Sequence, residues 1–135
     1  MLQSGGMTME GMKLLIVDDE HEFASALAER LLLRDFDTTV ANTGIDALGH
    51  INSTTFDVVL LDLKMPDMGG LEVLEKIKAH DPTVEVIILT GHGSAARDRE
   101  GMERGAFDYL MKPIELSDLI IKVKQAYEKR QENKA

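Results

Sequence analysis

The stretch LLIVDDE, residues 14–20, sets an apolar run directly against three consecutive carboxylates, Asp18, Asp19 and Glu20. Leu, Ile and Val in an unbroken run are what a strand covered on both faces requires, and such strands belong to parallel sheets. Charge gathered where the run stops therefore points to one edge of a sheet. With 13–17 as the first strand, similar runs at 37–41, 57–61, 84–89 and 107–110 bring the expected number to five. DVVLL and VEVIIL are nearly continuous in apolar character and suit the centre, whereas DTTV is polar enough to lie nearer an edge.

Between these runs, apolar residues recur at helical spacing. Phe23, Leu27 and Leu31 form one stripe, and Ile45, Leu48 and Ile51 a second. Leu71, Leu74 and Ile77 with Lys78 form a third, and Leu116, Leu119, Ile120, Val123 and Tyr127 the last. The remaining helical segment, SAARDREGMERG, places charge at Asp98 or Arg99 between Ala95 and Met102. Its Gly101 also lowers helix propensity by about 1 kcal/mol relative to Ala, so this helix is expected to be the least firmly packed. Strands alternating with helices make an α/β doubly wound parallel sheet, in which ligands bind beyond the carboxyl ends of the strands.

A length of 135 residues suits one domain. Residues 1–11, rich in Gly, Met and Ser without periodicity, read as a flexible leader or an expression scar. Residues 12–130 read as the domain, and 131–135 as a frayed tail or the start of a linker, because EKRQENKA is polar throughout. A formal net charge of -9 repels nucleic acid and anionic lipid surfaces alike. The absence of cysteine excludes disulfides, thiolate metal sites and a cysteine nucleophile. No apolar run approaches the roughly 18 residues of a membrane span, and a cytoplasmic location is expected.

The strand ends hold the chemistry. Strand one ends in Asp18, Asp19 and Glu20, strand three in Asp62, strand four in Thr90, and strand five in Lys112 followed by Pro113. Singly, each has an ordinary explanation as a helix cap, a strand terminator or a surface charge. Together, Asp18, Asp19 and Asp62 would converge in one pocket, where two like charges about 4 Å apart repel by roughly 4 kcal/mol. Such a group calls for a hard divalent cation held by oxygen, and Mg2+ with displaceable waters suits it. A lysine and a threonine hydroxyl beside it would serve the remaining oxygens of a phosphoryl group. His21, His50, His80 and His92 are scattered without ligand spacing and read as surface residues.

The motifs LLIVDDE, DVVLLDLKMPDMGG, VIILTGHGS and GAFDYLMKPIEL, in this order and spacing, resemble the receiver domain of two-component response regulators over residues 12–129. The resemblance implies a flavodoxin-like sheet of strand order 2-1-3-4-5 with five helices. It implies that Asp62 accepts a phosphoryl group from a phosphohistidine of a sensor histidine kinase or histidine phosphotransfer protein. Asp19, Asp62 and the backbone carbonyl of Lys64 would bind Mg2+, with Asp18 acting mainly through water. Lys112, aimed by a cis bond to Pro113, and Thr90 would engage the phosphoryl oxygens. Tyr109 would follow Thr90 inward and switch the face of helix four, strand five and helix five for a downstream output domain or protein. Lys64 and His92 stand where the family tunes water access to the acyl phosphate.

Within that scheme Glu20 falls outside the site and favours the start of the first helix, and MPDMGG is a turn whose glycines permit a tight approach. RDRE in helix four departs from the family's small apolar residues. The chain's own chemistry would be limited to self-phosphorylation and autodephosphorylation, so it is not read as a conventional enzyme. A phosphohydrolase of the haloacid-dehalogenase kind would want a second Asp two residues after the nucleophile, where this chain has Lys64. An interaction module that acts without phosphorylation is the alternative, and the full set of Asp18, Asp19, Asp62, Thr90 and Lys112 argues against it.

Overall fold

The sheet is built from β1 (Lys13–Val17), β2 (Asp37–Ala41), β3 (Val58–Asp62), β4 (Glu85–Thr90) and β5 (Asp108–Met111). Between and after them run α1 (His21–Leu32), α2 (Gly44–Ser53), α3 (Gly70–His80), α4 (Ala95–Glu103) and α5 (Leu116–Lys134). The computed structural model describes residues 11–65, 67–91 and 95–134. All the strand pairs are parallel, in the order β2-β1-β3-β4-β5. Every residue of β3 and β4 is buried, whereas β2 and β5 at the edges are only partly so. The apolar runs thus sit where two-sided burial demands them.

Side-chain alternation along the strands divides the core into two layers. Leu14, Ile16, Leu60, Ile87 and Leu89 face α1 and α5, meeting Leu27, Leu31, Leu119 and Val123. Leu15, Val17, Val59, Leu61 and Ile88 face the other way, onto Ala47, Ile51, Val73, Leu74 and Ile77 of α2 and α3. Parallel pairing carries the carboxyl ends of all five strands to one edge.

Several local expectations shift. Strands β3, β4 and β5 each begin one residue later than their apolar runs suggested, so Asp62 and Thr90 are the last strand residues, in register with Leu89 and Met111. Helix α2 turns Gly44, Ala47 and Ile51 inward and leaves Ile45 67% exposed, because a start at Gly44 sets the inward line at i, i+3 and i+7. In α4 the expected line through Ala95, Asp98 or Arg99, and Met102 does not face the core. Gly101 is its buried residue, and a Cβ there would lie 2.3 Å from Ile88 Cδ1, so the glycine lets α4 reach β4. With one buried position, α4 is the least embedded of the helices, as its sequence suggests.

The largest difference is at the chain's end. Helix α5 continues to Lys134, through most of the stretch 131–135 read as a frayed tail or linker start, and Arg130, inside the polar stretch, is buried. Its guanidinium lies 3.1 Å from Asp57 Oδ1 and 3.6 Å from Asp81 Oδ2, tying α5 to the start of β3 and the end of α3. Asp81 is held below the usual carboxylate range: burial would raise it, but two bonds from Thr83 and the Arg130 charge outweigh that. Removing one member of a buried ion network leaves the others uncompensated. Arg130→Ala should therefore lower stability by about 2–3 kcal/mol, read as a reduced urea midpoint, and an unchanged midpoint would show that the network contributes nothing.

Candidate functional site

The site forms where β1 and β3 stop. Asp18 follows β1 directly, is fully buried, and donates its N–H to the Ala41 carbonyl at 3.0 Å. Its Oδ1 accepts the Glu20 N–H at 2.9 Å, and its carbonyl accepts from Asn42 Nδ2 at 2.8 Å. Asp62 closes β3, is 7% exposed, and accepts the Lys64 N–H on Oδ1 at 2.9 Å. The neighbouring strands thus present two buried carboxylates one step beyond the last β1–β3 pair, Val17 with Leu61.

Lys112 arrives from the end of β5, its N–H bonded to the Thr90 carbonyl at 2.6 Å and its bond to Pro113 cis. Its Nζ lies 2.8 Å from Asp18 Oδ2, 2.5 Å from Glu20 Oε1 and 3.7 Å from Asp62 Oδ2. The ammonium also sits 4.3 Å above the Phe23 ring of α1, an added attraction of the cation–π kind. Burial alone would lower the pKa of Lys112, but bonds to Asp18 and Glu20 and the charges of Asp18 and Asp62 outweigh it, and the ammonium is reinforced.

Asp62 moves the other way. Burial, aided by the Asp18 charge, pushes its carboxyl up from 3.8 to about 6, against the opposing pull of the Lys64 N–H and Lys112. The fold therefore disfavours an ionised Asp62 unless further positive charge comes to it.

Glu20 belongs to this group, contrary to the sequence reading. Carboxylate oxygens of Asp18, Glu20 and Asp62 all lie within 4.8 Å of one another. Glu20 is at the N-cap of α1 but makes no capping bond, reaching instead across to Lys112. Asp19, half-buried, lines a cleft of about 790 Å3 with Glu20, Asp62, Lys64 and Lys112. The set is all oxygen, the donor type that Mg2+ takes. Three carboxylates sharing one ammonium also leave the negative surplus that a dication would meet.

Thr90 is buried and lines a small cavity with Asp62 and Lys64. Tyr109 stays 42% exposed on β5. Lys64 is exposed, and His92 lies outside the described residues. In MPDMGG, Gly70 supplies the expected close approach, since a Cβ there would meet the Leu63 backbone at 2.3 Å, while Gly69 has open space. Sequence reasoning missed the site contacts of Phe23 and Asn42. Phe23 showed only as part of a helical stripe, and nothing local distinguished Asn42.

A sequence model described as the response regulator receiver domain matches residues 14–124. The chain belongs to that family. Among its relatives are the transcriptional regulatory protein ZraR of Klebsiella oxytoca, 33% identical over 89% of this chain and 27% of that protein, and the regulatory protein LuxO of Vibrio cholerae, 37% identical over 84% and 25%. The receiver chain thus spans about a quarter of the length of these relatives. The solved response regulator receiver domain protein (CheY-like) of Methanospirillum hungatei superposes with a TM-score of 0.87, at 30% identity over 92% of this chain and 99% of that one. No helix among the described residues is long and apolar enough to cross a membrane.

The raised Asp62 carboxyl sets a pH dependence. It costs nothing below about pH 3.8, where it is protonated folded or unfolded, and costs progressively more as pH rises through 6. Without divalent cations, Asp62→Asn should be more stable than the parent by about 1–3 kcal/mol at pH 7.5, with the gap narrowing towards pH 5. Thermal unfolding across that range checks it, and a gap that widened in acid would contradict it.

Proposed function

We propose that this receiver domain accepts a phosphoryl group on Asp62 from the phosphohistidine of a sensor histidine kinase or histidine phosphotransfer protein. The observation that carries this reading is the convergence of Asp62 with Lys112, at 3.7 Å, inside a carboxylate cluster that fits a hard dication. Asp18, Asp19, Asp62 and the Lys64 carbonyl would hold Mg2+, with Glu20 in reach. Bound there, the ion would offset the charge of the approaching phosphoryl group.

The remaining work falls to the chain. The Lys64 N–H engages Asp62 Oδ1 and orients the carboxylate, leaving Oδ2 as the attacking oxygen. A bond forms between Oδ2 and phosphorus while the phosphorus–nitrogen bond to the donor imidazole breaks, and the imidazole departs with its electron pair. Phosphoryl transfer asks for positioning and charge neutralisation more than acid or base chemistry. Lys112, already turned towards Asp62, would exchange its carboxylate partners for a phosphoryl oxygen. The Thr90 hydroxyl would hydrogen-bond another.

Drawing Thr90 inward would let Tyr109 leave its exposed position, passing the change to the face of α4, β5 and α5. That face would then meet a downstream output domain or protein, as the quarter-length match to transcriptional regulators suggests. The exposed Lys64 side chain, with His92, would govern water access and so the lifetime of the acyl phosphate. On this reading, chemistry by the chain itself stops at taking up phosphate and hydrolysing it.

Incubation with Mg2+ and acetyl phosphate should add one phosphoryl mass to the parent chain and none to Asp62→Asn, read by intact-protein mass spectrometry. No addition to the parent would favour an interaction module that works without phosphorylation.

A further inference from the structure

Asp18 and Asp62 lie one step beyond the last β1–β3 pair, each held on its outer side, Asp18 by its N–H to the Ala41 carbonyl and Asp62 by its register with Leu89. Across the gap between them the following loops add a brace. Three hydrogen bonds define the brace. On one side, Asn42 holds the Asp18 carbonyl at 2.8 Å, just before α2 begins. On the other, the loop after β3 sends Asp67 to the first turn of the same helix, where its two oxygens accept the N–H groups of Gly44 and Ile45, both at 3.1 Å.

Those two N–H groups are among the four that an α-helix leaves without internal partners. Thr43, the local cap, takes the Asp46 N–H at 3.0 Å and cannot serve the other two. A residue 23 positions further on completes the cap. Both bonds hold the Asp67 carboxyl below its usual range, so it stays ionised at neutral pH. At the near end of its loop, the Lys64 N–H is bonded to Asp62 and the Gly70 N–H to the Leu63 carbonyl at 3.1 Å. The start of α2 thereby joins the two halves of the acidic site, through Asn42 to Asp18 and through Asp67 to the loop that carries Lys64.

We propose that Asp67 is a positioning residue, holding the loop after β3 against α2 so that the Lys64 carbonyl and the Asp62 carboxylate keep their placement relative to Asp18. This role rests on the phosphoryl-accepting function proposed above. Asp67 touches neither the acceptor nor its cation and acts through the loop.

The parent chain, Asp67→Ala, Asp67→Asn and Thr43→Ala should be compared. The last variant removes the local cap of α2 without releasing the loop, and so controls for helix stability alone. In the cation-free protein, Asp67→Ala should speed hydrogen exchange at the Lys64 and Gly70 amides. Its Mg2+ affinity should fall by about tenfold, the low end for losing a group that orients metal ligands, with slower phosphoryl uptake from acetyl phosphate. Asp67→Asn keeps one acceptor oxygen and should fall between. Thr43→Ala should lower the unfolding midpoint and leave Mg2+ affinity and uptake at the parent's values.

Parent-like Mg2+ affinity and uptake in Asp67→Ala, with a lowered midpoint, would reduce Asp67 to a helix cap and overturn the role. A parent that neither binds Mg2+ nor takes up phosphate would overturn the function itself, and this role with it.

Discussion

The carboxylates of Asp18, Glu20 and Asp62 converge where β1 and β3 end, and their mutual repulsion is the constraint that the surrounding structure answers. At about 4 Å and an effective dielectric of about 20, each like pair costs roughly 4 kcal/mol, so the group persists only beside positive charge. Lys112 supplies that charge from the end of β5, two strands away from β3. Only a parallel sheet delivers those strand ends to one edge, which is why the apolar continuity of β3 and β4 matters to the chemistry. Phe23 on α1 and the Asn42 contact to Asp18 then hold the arrangement from outside the sheet.

The opposite edge of the sheet shows how charge is treated where no site is needed. Arg130 lies between Asp57 and Asp81, and Lys78 lies 3.9 Å from the buried Glu85. There each cation lies against carboxylates, yet burial still raises the Glu85 carboxyl and lowers the Lys78 ammonium. At the carboxyl edge three carboxylates share Lys112, and burial aided by the Asp18 charge raises Asp62. An incoming cation would relieve that cost, as the proposed function requires.

The strands, the central placement of β3 and β4, the edge placement of β2 and the residues at the strand ends were legible because each rests on local pattern: apolar continuity, and polarity at the point where it stops; the full strand order came from the family resemblance. Glu20 was misplaced for the converse reason. Its position before α1 suggested a dipole contact, while its actual partner, Lys112, is 92 residues away. Arg130 looked like part of a solvated tail because its partner Asp57 is 73 residues distant. The inward lines of α2 and α4 also shifted, since they depend on where a helix starts and how closely glycine lets it approach the sheet. Pattern shows which residues are apolar and where a run ends; it does not show which distant charge a long side chain will meet.

The role proposed for this carboxylate group, with Asp62 at its heart, is to receive a divalent cation. A Mg2+ titration of the isotopically labelled protein, followed by amide chemical shifts, tests it most directly. The account predicts saturable shifts concentrated at Asp18, Asp19, Asp62 and Lys64, greatly weakened in Asp62→Asn. Shifts that failed to saturate, or that were equally strong in Asp62→Asn, would contradict it.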